Sequence, residues 1–403
     1  MGLDVEKIRQ DFPVLQKRVN NKPIIYMDNA CMTLRPIQVI DKIREYYLEY
    51  PACGERSLHK LGRRVDEEVA KARETLKKFI NAKSAKELIF TKNTTEGINL
   101  VANAFPLKAG DIVLGTDKEH NSNLLPWQKL APKGVVYDYV EADEDGSFSM
   151  ENFRCKLNKK VRLVAMVMMS NMDGSSIPAK EVVKMAHDNG SLVLLDGAQA
   201  VPHHEIDVRK LDADFLAFSG HKMLGPTGTG ILYGKEKALE MLSPFMVGGG
   251  TVIDSTHATA KFEELPHKFE AGLQHYAGMI GLGEAANYIM RIGRDSIEKH
   301  ETALNKIVTE GLAGLVDIIG PKDAEKRGGI FSFNAGSIDP HEIAMMLDQM
   351  ENICVRSGAH CVHSWFNAHN MKGSVRASFY LYNTPEECRK FVETLKMALK
   401  IVK

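Results

Sequence analysis

The sequence predicts an α/β protein: a large domain on a mostly parallel sheet, followed by a smaller α+β domain. Three observations carry this. Continuous apolar runs alternate with helical patterns through the first half of the chain, as expected for strands covered on both faces. Several of these runs end in polar or glycine-rich turns, where open α/β sheets bind ligands. After Gly248-Gly249-Gly250 the texture changes to long helices with a few short strands.

The elements follow in order. Residues 24–28 read as a short apolar strand, and 36–50 and 62–81 as helices, the second charged on one face. Strand-like runs at 87–92, 111–115, 135–140, 161–169, 191–195, 214–218 and 230–233 enclose helical patterns such as 94–105 and 178–189. Helices are then expected at 275–291 and 294–315, a strand at 330–334, a helix at 340–350, strands at 353–356 and 374–378, and a last helix at 384–401. A length of 403 residues exceeds one ordinary core. The expected division is an N-terminal arm (1–22) on the small domain, a large domain (23–285) and a small domain (286–403).

Composition narrows the function classes. Lys+Arg and Asp+Glu are equal at 52 each, so no global field draws the chain to nucleic acid or an anionic membrane. There is no apolar run of about 18 residues and no apolar signal core at the N-terminus, so a cytoplasmic protein is expected. Six cysteines are scattered with no Cys-x-x-Cys pair, which reads as reduced thiols. His203-His204 are adjacent, not at ligand spacing, so no metal site is expected.

The run from Phe218 to Gly230 is the most informative segment. An apolar strand ends in Ser219-Gly220-His221-Lys222, and a glycine-rich turn follows. A lysine held at a strand end beside phosphate-binding groups can form a Schiff base with an aldehyde cofactor, and pyridoxal phosphate (PLP) is the candidate. Taken alone, Lys222 reads as a solvated loop lysine; the partners upstream decide otherwise. Asp196 ends another apolar strand and can hold a pyridine nitrogen protonated, although such an aspartate is more often a cap or turn residue. Gln199 can reach a ring hydroxyl. Thr94 and Thr95 open a helix after a strand, where hydroxyls and N–H groups bind phosphate or simply cap the helix. Ser219 and His221 would complete that cradle. His120 is the candidate for stacking on the ring. Arg376 suits a bidentate grip on a substrate carboxylate, with a structural ion pair as the alternative. Asn171 ends another strand near the ring or the substrate.

Together these residues resemble the class V aminotransferase group of PLP enzymes, most closely the group II cysteine desulfurases, a set that includes selenocysteine lyases. Tyr26-Met27-Asp28-Asn29-Ala30, Thr94-Thr95-Glu96-Gly97, Asp196-Gly197-Ala198-Gln199, Ser219-Gly220-His221-Lys222, Phe269-Glu270-Ala271-Gly272 and Arg356-Ser357-Gly358-Ala359-His360-Cys361 carry the resemblance. It implies the aspartate-aminotransferase-like fold type I with a seven-stranded, mostly parallel sheet, and a homodimer with active sites at the interface. It also implies that Lys222 carries PLP, Asp196 holds the ring nitrogen, His120 stacks, Gln199 contacts the ring oxygen, and Thr95, Ser219 and His221 hold the phosphate. Arg376 would bind the substrate carboxylate with Asn171 and Arg356 nearby, and His59 and Arg56 resemble a basic pair of the early active-site loop. Leu273 stands where the family usually has a threonine reaching the neighbouring subunit's phosphate, and Ala359 where many group II members have a histidine.

The implied reaction converts L-cysteine to L-alanine. Lys222 removes the α-proton, and Cys361 takes the sulfur as a persulfide for a protein acceptor, as in iron–sulfur cluster assembly. His360 and Arg356 would lend Cys361 positive field. Selenocysteine lyase, aminotransferase, epimerase and kynureninase-like activities share the same cofactor chemistry. A non-catalytic sulfur-relay protein is the alternative of a different class.

Overall fold

Seven strands form the central sheet of the computed structural model, which describes residues 3–55 and 57–402. They are β1 (Leu88–Thr91), β2 (Ile112–Thr116), β3 (Val136–Val140), β4 (Val161–Val167), β5 (Leu192–Asp196), β6 (Phe215–Ser219) and β7 (Gly230–Gly234). Their order is β1-β7-β6-β5-β4-β2-β3. Only β7 runs against its neighbours; β6, β5, β4, β2 and β3 are parallel. Apart from the edge strand β3, the sheet is buried on both faces. Along β6, Phe215 and Ala217 enter one apolar layer with Ile98, Val101 and Trp127, whereas Leu216 and Phe218 enter another with Leu195 and Leu282. That period of two is the pleat, and covering helices make both sets apolar.

The helix Tyr276–Ile292 packs on Ile37–Glu49 and Lys60–Phe79. Contact with the second is close enough that a Cβ on Gly283 would lie 2.7 Å from Ala72 Cα, so only glycine fits. The second sheet contains β8 (Asp317–Ile318), β9 (Ile330–Asn334), β10 (Arg356–Gly358) and β11 (Ser374–Ser378), antiparallel in the order β8-β9-β11-β10. Phe331, Phe333, Val375 and Ala377 share a core with Phe391 and Leu395 of the helix Pro385–Val402.

One expectation is corrected. Within the expected strand 24–28, Ile25–Tyr26 pairs in parallel with Ile353–Cys354, because Ile25 and Met27 are buried in the C-terminal core. The expected strand 353–356 divides accordingly, its first part pairing with Ile25–Tyr26 and its continuation joining β11 as β10. The sequence reading missed the hairpin Val252–Ser255/Ala260–Phe262, which is mostly exposed and so has no apolar alternation. Arg9 of the N-terminal arm pairs with Glu387 at 2.8 Å and donates to Tyr382 O at 2.6 Å. We propose that the two sheets mark two domains dividing near residue 285, with residues 1–22 as an arm on the smaller. Among the described residues no helix is long and apolar enough to cross a membrane.

One buried ion pair fastens the open edge of the central sheet. Arg73 donates to Glu270 through both terminal nitrogens, at 2.8 Å each, and to Leu88 O at 2.6 Å. Glu270 also accepts the Phe90 N–H at 2.7 Å, which joins β1 to the segment after Pro266. Glu270→Ala strands a buried guanidinium and should lower unfolding stability by about 3–5 kcal/mol. Urea denaturation of the variant against the parent protein measures this; a loss under about 1 kcal/mol would contradict it.

Candidate active site

The parallel sheet delivers five chain segments to one edge. Thr94 follows β1, His120 follows β2, Asn171 follows β4, Asp196 ends β5 and Ser219 ends β6, so all lie at carboxyl ends of strands. β7 enters the same edge by its amino end, where Gly230 pairs with Ser219 on one side and Thr91 on the other. A Cβ on Gly230 would stand 2.7 Å from Asn93 Cα, so a side chain there would push away the start of the helix Thr94–Ala104. Asn93 caps that helix by accepting the Glu96 N–H at 3.0 Å, and Glu96 reaches back to the Lys92 N–H.

A cavity of about 190 Å³ opens at this edge. Its walls include Cys31, Thr95, His120, Asp196, Lys222 and Cys361. At the helix start, Ser219 Oγ accepts the Thr94 N–H at 2.9 Å and lies 2.6 Å from Thr94 Oγ1, while Thr95 Oγ1 lies 2.7 Å from Ser122 Oγ. Hydroxyls clustered at a helix N-terminus suit a phosphate. His221, half-buried beside them, is pushed down to about 4 by burial, then by Lys222 and Arg35.

Lys222 lies in the field of the buried Asp196. Lys222 lies on the short 3-10 turn Gly220–Lys222 after β6, and its amine makes no hydrogen bond or ion pair with a described residue. Burial lowers its pKa, with the charge of Asp196 opposing. A neutral amine is the form that attacks an aldehyde. Asp196 is buried; its Oδ1 accepts the Ala198 N–H at 2.9 Å, and desolvation raises its pKa. Both groups lack counter-charge that an occupant can supply. His120 Nδ1 accepts the Ser122 N–H at 3.0 Å, which leaves the proton of the neutral ring on Nε2.

The second sheet closes the cavity. Arg356 and Arg376 are directly paired across β10 and β11. Like charges in such a pair repel, so the arrangement calls for anions. Arg376 is buried; it donates to Asn171 O at 2.8 Å and to Asp28 Oδ1 at 3.3 Å, and its Nε has no partner. Gln199 donates to Ala30 O at 2.7 Å and Asn171 to His360 O at 2.8 Å, which leaves Gln199 Oε1 and Asn171 Oδ1 buried without donors. With His360 Nδ1, four residues that line this small cavity carry an unpaired polar atom, which fits a ligand carrying both a hydroxyl and a carboxylate.

Cys361 is half-buried on a strained turn: His360 and Cys361 have φ of 49° and 60°, left-handed values that cost a non-glycine residue about 1–2 kcal/mol each. The turn is held by Asn171 on His360 O and by the Asn121 N–H on Cys361 O at 2.7 Å. The expected positive field from His360 is absent. Its Nε2 lies 2.8 Å from Ser374 Oγ, and burial, then Arg376 and Arg356, push its pKa down to about 2, so the ring is neutral. Arg356 donates to Cys31 Sγ at 2.9 Å instead.

The cavity wall therefore contains Thr94, Thr95, His120, Asn171, Asp196, Gln199, Ser219, His221, Lys222, Arg356, Cys361 and Arg376 of the sequence-derived candidates. His59 is not among its lining residues: it is exposed and caps the helix Lys60–Phe79, Nδ1 accepting the Gly62 N–H at 3.2 Å. Arg56 lies outside the described residues. Sequence reading missed Cys31, which adjoins Asp28-Asn29-Ala30, and Glu119, the residue before His120. Glu119 accepts from Thr116 Oγ1 at 2.8 Å, Asn123 Nδ2 at 2.7 Å and Val167 N at 2.9 Å, and so fixes the His120 loop to β4. Burial pushes its carboxyl up to about 8 against the pull of these donors.

Burial, then Lys222, Arg376 and Arg356, push His120 down to about 3. Depressed histidines impose a sign: below about pH 6.5 the unfolded chain binds protons that the native one refuses, so their stabilising contribution falls with pH until the folded values near 2–4. His360→Gln should remove one such proton. The stability gap between parent and variant should then shift by up to about 1.4 kcal/mol per pH unit between pH 6 and 4, against the parent. A gap independent of pH would show that His360 is charged in the fold.

Comparison with known proteins agrees with this geometry. The family model for aminotransferase class-V matches residues 25–391. A probable cysteine desulfurase of Synechocystis is 40% identical over 400 residues, 98% of this chain and 95% of the relative. Cysteine desulfurase structures from Thermococcus onnurineus (TM-score 0.94, 39% identity, 99% of each chain) and Escherichia coli (TM-score 0.91, 28% identity, 99% of each chain) share the fold. The cavity, its strand-end ligands and the full-length match lead to one assignment: this chain belongs to the class-V aminotransferase family and has the fold of its PLP-dependent members.

Proposed function

We propose that this protein is a PLP-dependent cysteine desulfurase that converts L-cysteine to L-alanine and keeps the sulfur on Cys361 as a persulfide. The observation that carries the reading is the meeting of Lys222, Asp196 and Cys361 in the walls of one small cavity, between residues suited to a phosphate and to a carboxylate. Relatives named probable cysteine desulfurase at 40% identity support it.

PLP fits the residues present. Thr94, Thr95, Ser219 and His221 would hold its phosphate, Asp196 its ring nitrogen, Gln199 Oε1 its hydroxyl and Lys222 its aldehyde carbon, with His120 against the ring. When bound, PLP supplies an electron sink for negative charge at the substrate Cα. The chain does the rest. Arg376 binds the substrate carboxylate through its unpaired Nε–H, and Asn171 holds Arg376 and the Cys361 turn in register. Lys222 accepts the α-proton on its amine and returns it on the product side. The Cys361 thiolate attacks the substrate sulfur: an S–S bond forms, the Cβ–S bond breaks, and Cβ gains a proton to give alanine. His120, neutral, presents Nε2–H without adding charge to a site that already holds the guanidiniums of Arg356 and Arg376.

The protein is read as a cytoplasmic homodimer that passes sulfur to a protein acceptor. Exposed apolar side chains support a partner subunit: Ile40, Tyr47 and Leu48 on the helix Ile37–Glu49, Leu58 on the loop after it and Leu273. In the PLP-loaded protein, Cys361→Ala should lower sulfide release from L-cysteine by at least about a hundredfold while cofactor absorbance persists. Sulfide and alanine assays with a visible spectrum check this; unchanged desulfuration would refute the role of Cys361.

A further inference from the structure

Cys31 is the cavity thiol that the desulfurase reading leaves unused. It lines the same walls as Cys361 and Lys222, half-buried, and its sulfur accepts from a permanent cation, Arg356, at 2.9 Å. Arg356 opens β10, whose continuation carries Cys361, so one segment holds both thiols at the site. Both sulfurs lie in the near field of one amine: after Asp196, Cys31 and Cys361 are the groups that most favour a protonated Lys222. The other four cysteines are elsewhere. Cys53 and Cys155 are exposed, and burial pushes the thiol of Cys354 up to about 11 and that of Cys388 higher still.

We propose that Cys31 is a second sulfur carrier of this cavity, receiving the outer sulfur of the Cys361 persulfide. The inference rests on the desulfurase reading above. The Cys31 thiolate attacks the outer sulfur; an S–S bond forms at Cys31, the S–S bond at Cys361 breaks, and Cys361 leaves as a thiolate. One persulfide and one thiolate stand on each side, so no oxidant or reductant is consumed. The persulfide bond extends the reach of Cys361 by about 2 Å, and Arg356 offers a cation to the anion formed on Cys31. Cys361 is thereby freed for a second substrate before any acceptor arrives.

The test uses the PLP-loaded full-length protein with a few equivalents of L-cysteine and no acceptor or reductant. Samples are quenched with iodoacetamide over time, and the Cys31 and Cys361 peptides are weighed. The extra sulfur should appear first on Cys361 and then on Cys31, and the alanine burst should be about twice that of Cys31→Ser, in which the sulfur stays on Cys361. A Cys31 peptide that never gains sulfur while Cys361 does would overturn the relay, and the parent time course decides this even if the variant misfolds. A Cys31–Cys361 disulfide would also overturn it, since attack would then fall on the inner sulfur and release hydrosulfide. So would labelling of Cys31 in Cys361→Ala. Failure of the desulfurase reading itself is distinguishable: no alanine forms, neither peptide gains sulfur, and both proposals fall.

Discussion

Burial without full counter-charge is the condition on which this site depends. β5 and β6 are hydrogen-bonded neighbours in the centre of the sheet; Asp196 ends one, Lys222 follows the end of the other on a short turn, and each lies in the other's field. Desolvation pushes the carboxyl up and the amine down, so both are short of counter-charge. A ligand with a cationic ring nitrogen and an electrophilic carbon meets both needs at once. The glycines at 220 and 230 serve the same arrangement, because each lies where a side chain would strike the neighbouring backbone or Thr229.

The second constraint is the joint between the two sheets. Arg376 belongs to β11, yet its guanidinium is fixed by Asn171 O from the turn after β4 and by Asp28 from the segment that leads out of Ile25–Tyr26. Asn171 in turn fixes His360 O, on the turn that carries Cys361. The carboxylate-binding group and the nucleophile are thus referred to one asparagine. Small displacements at that asparagine would move both, including the turn with its two left-handed residues at 360 and 361.

Much of this was legible in the sequence because the central strands are apolar on both faces and end in chemically distinctive residues. Asp196, Ser219 and Lys222 announce themselves by terminating such runs, and the helix start at Thr94 by its capping chemistry. What the sequence did not reveal depends on contacts between distant segments. Nothing local tells that residues 24–28 pair with 353–354, since a short apolar run serves either sheet. Cys31 resembles any scattered cysteine until the fold puts Arg356 on it. His360 beside Cys361 suggests a cation, but its burial beside two arginines makes it neutral. His59, attractive as a basic loop residue, is occupied in capping a helix.

The central claim is that a single amine, Lys222, holds the cofactor in this cavity. Borohydride reduction of the PLP-loaded protein followed by peptide mapping tests it most directly. The account predicts a reduced phosphopyridoxyl group on Lys222, and its loss in Lys222→Ala; a group fixed to another lysine, or none in a folded protein saturated with PLP, would contradict it.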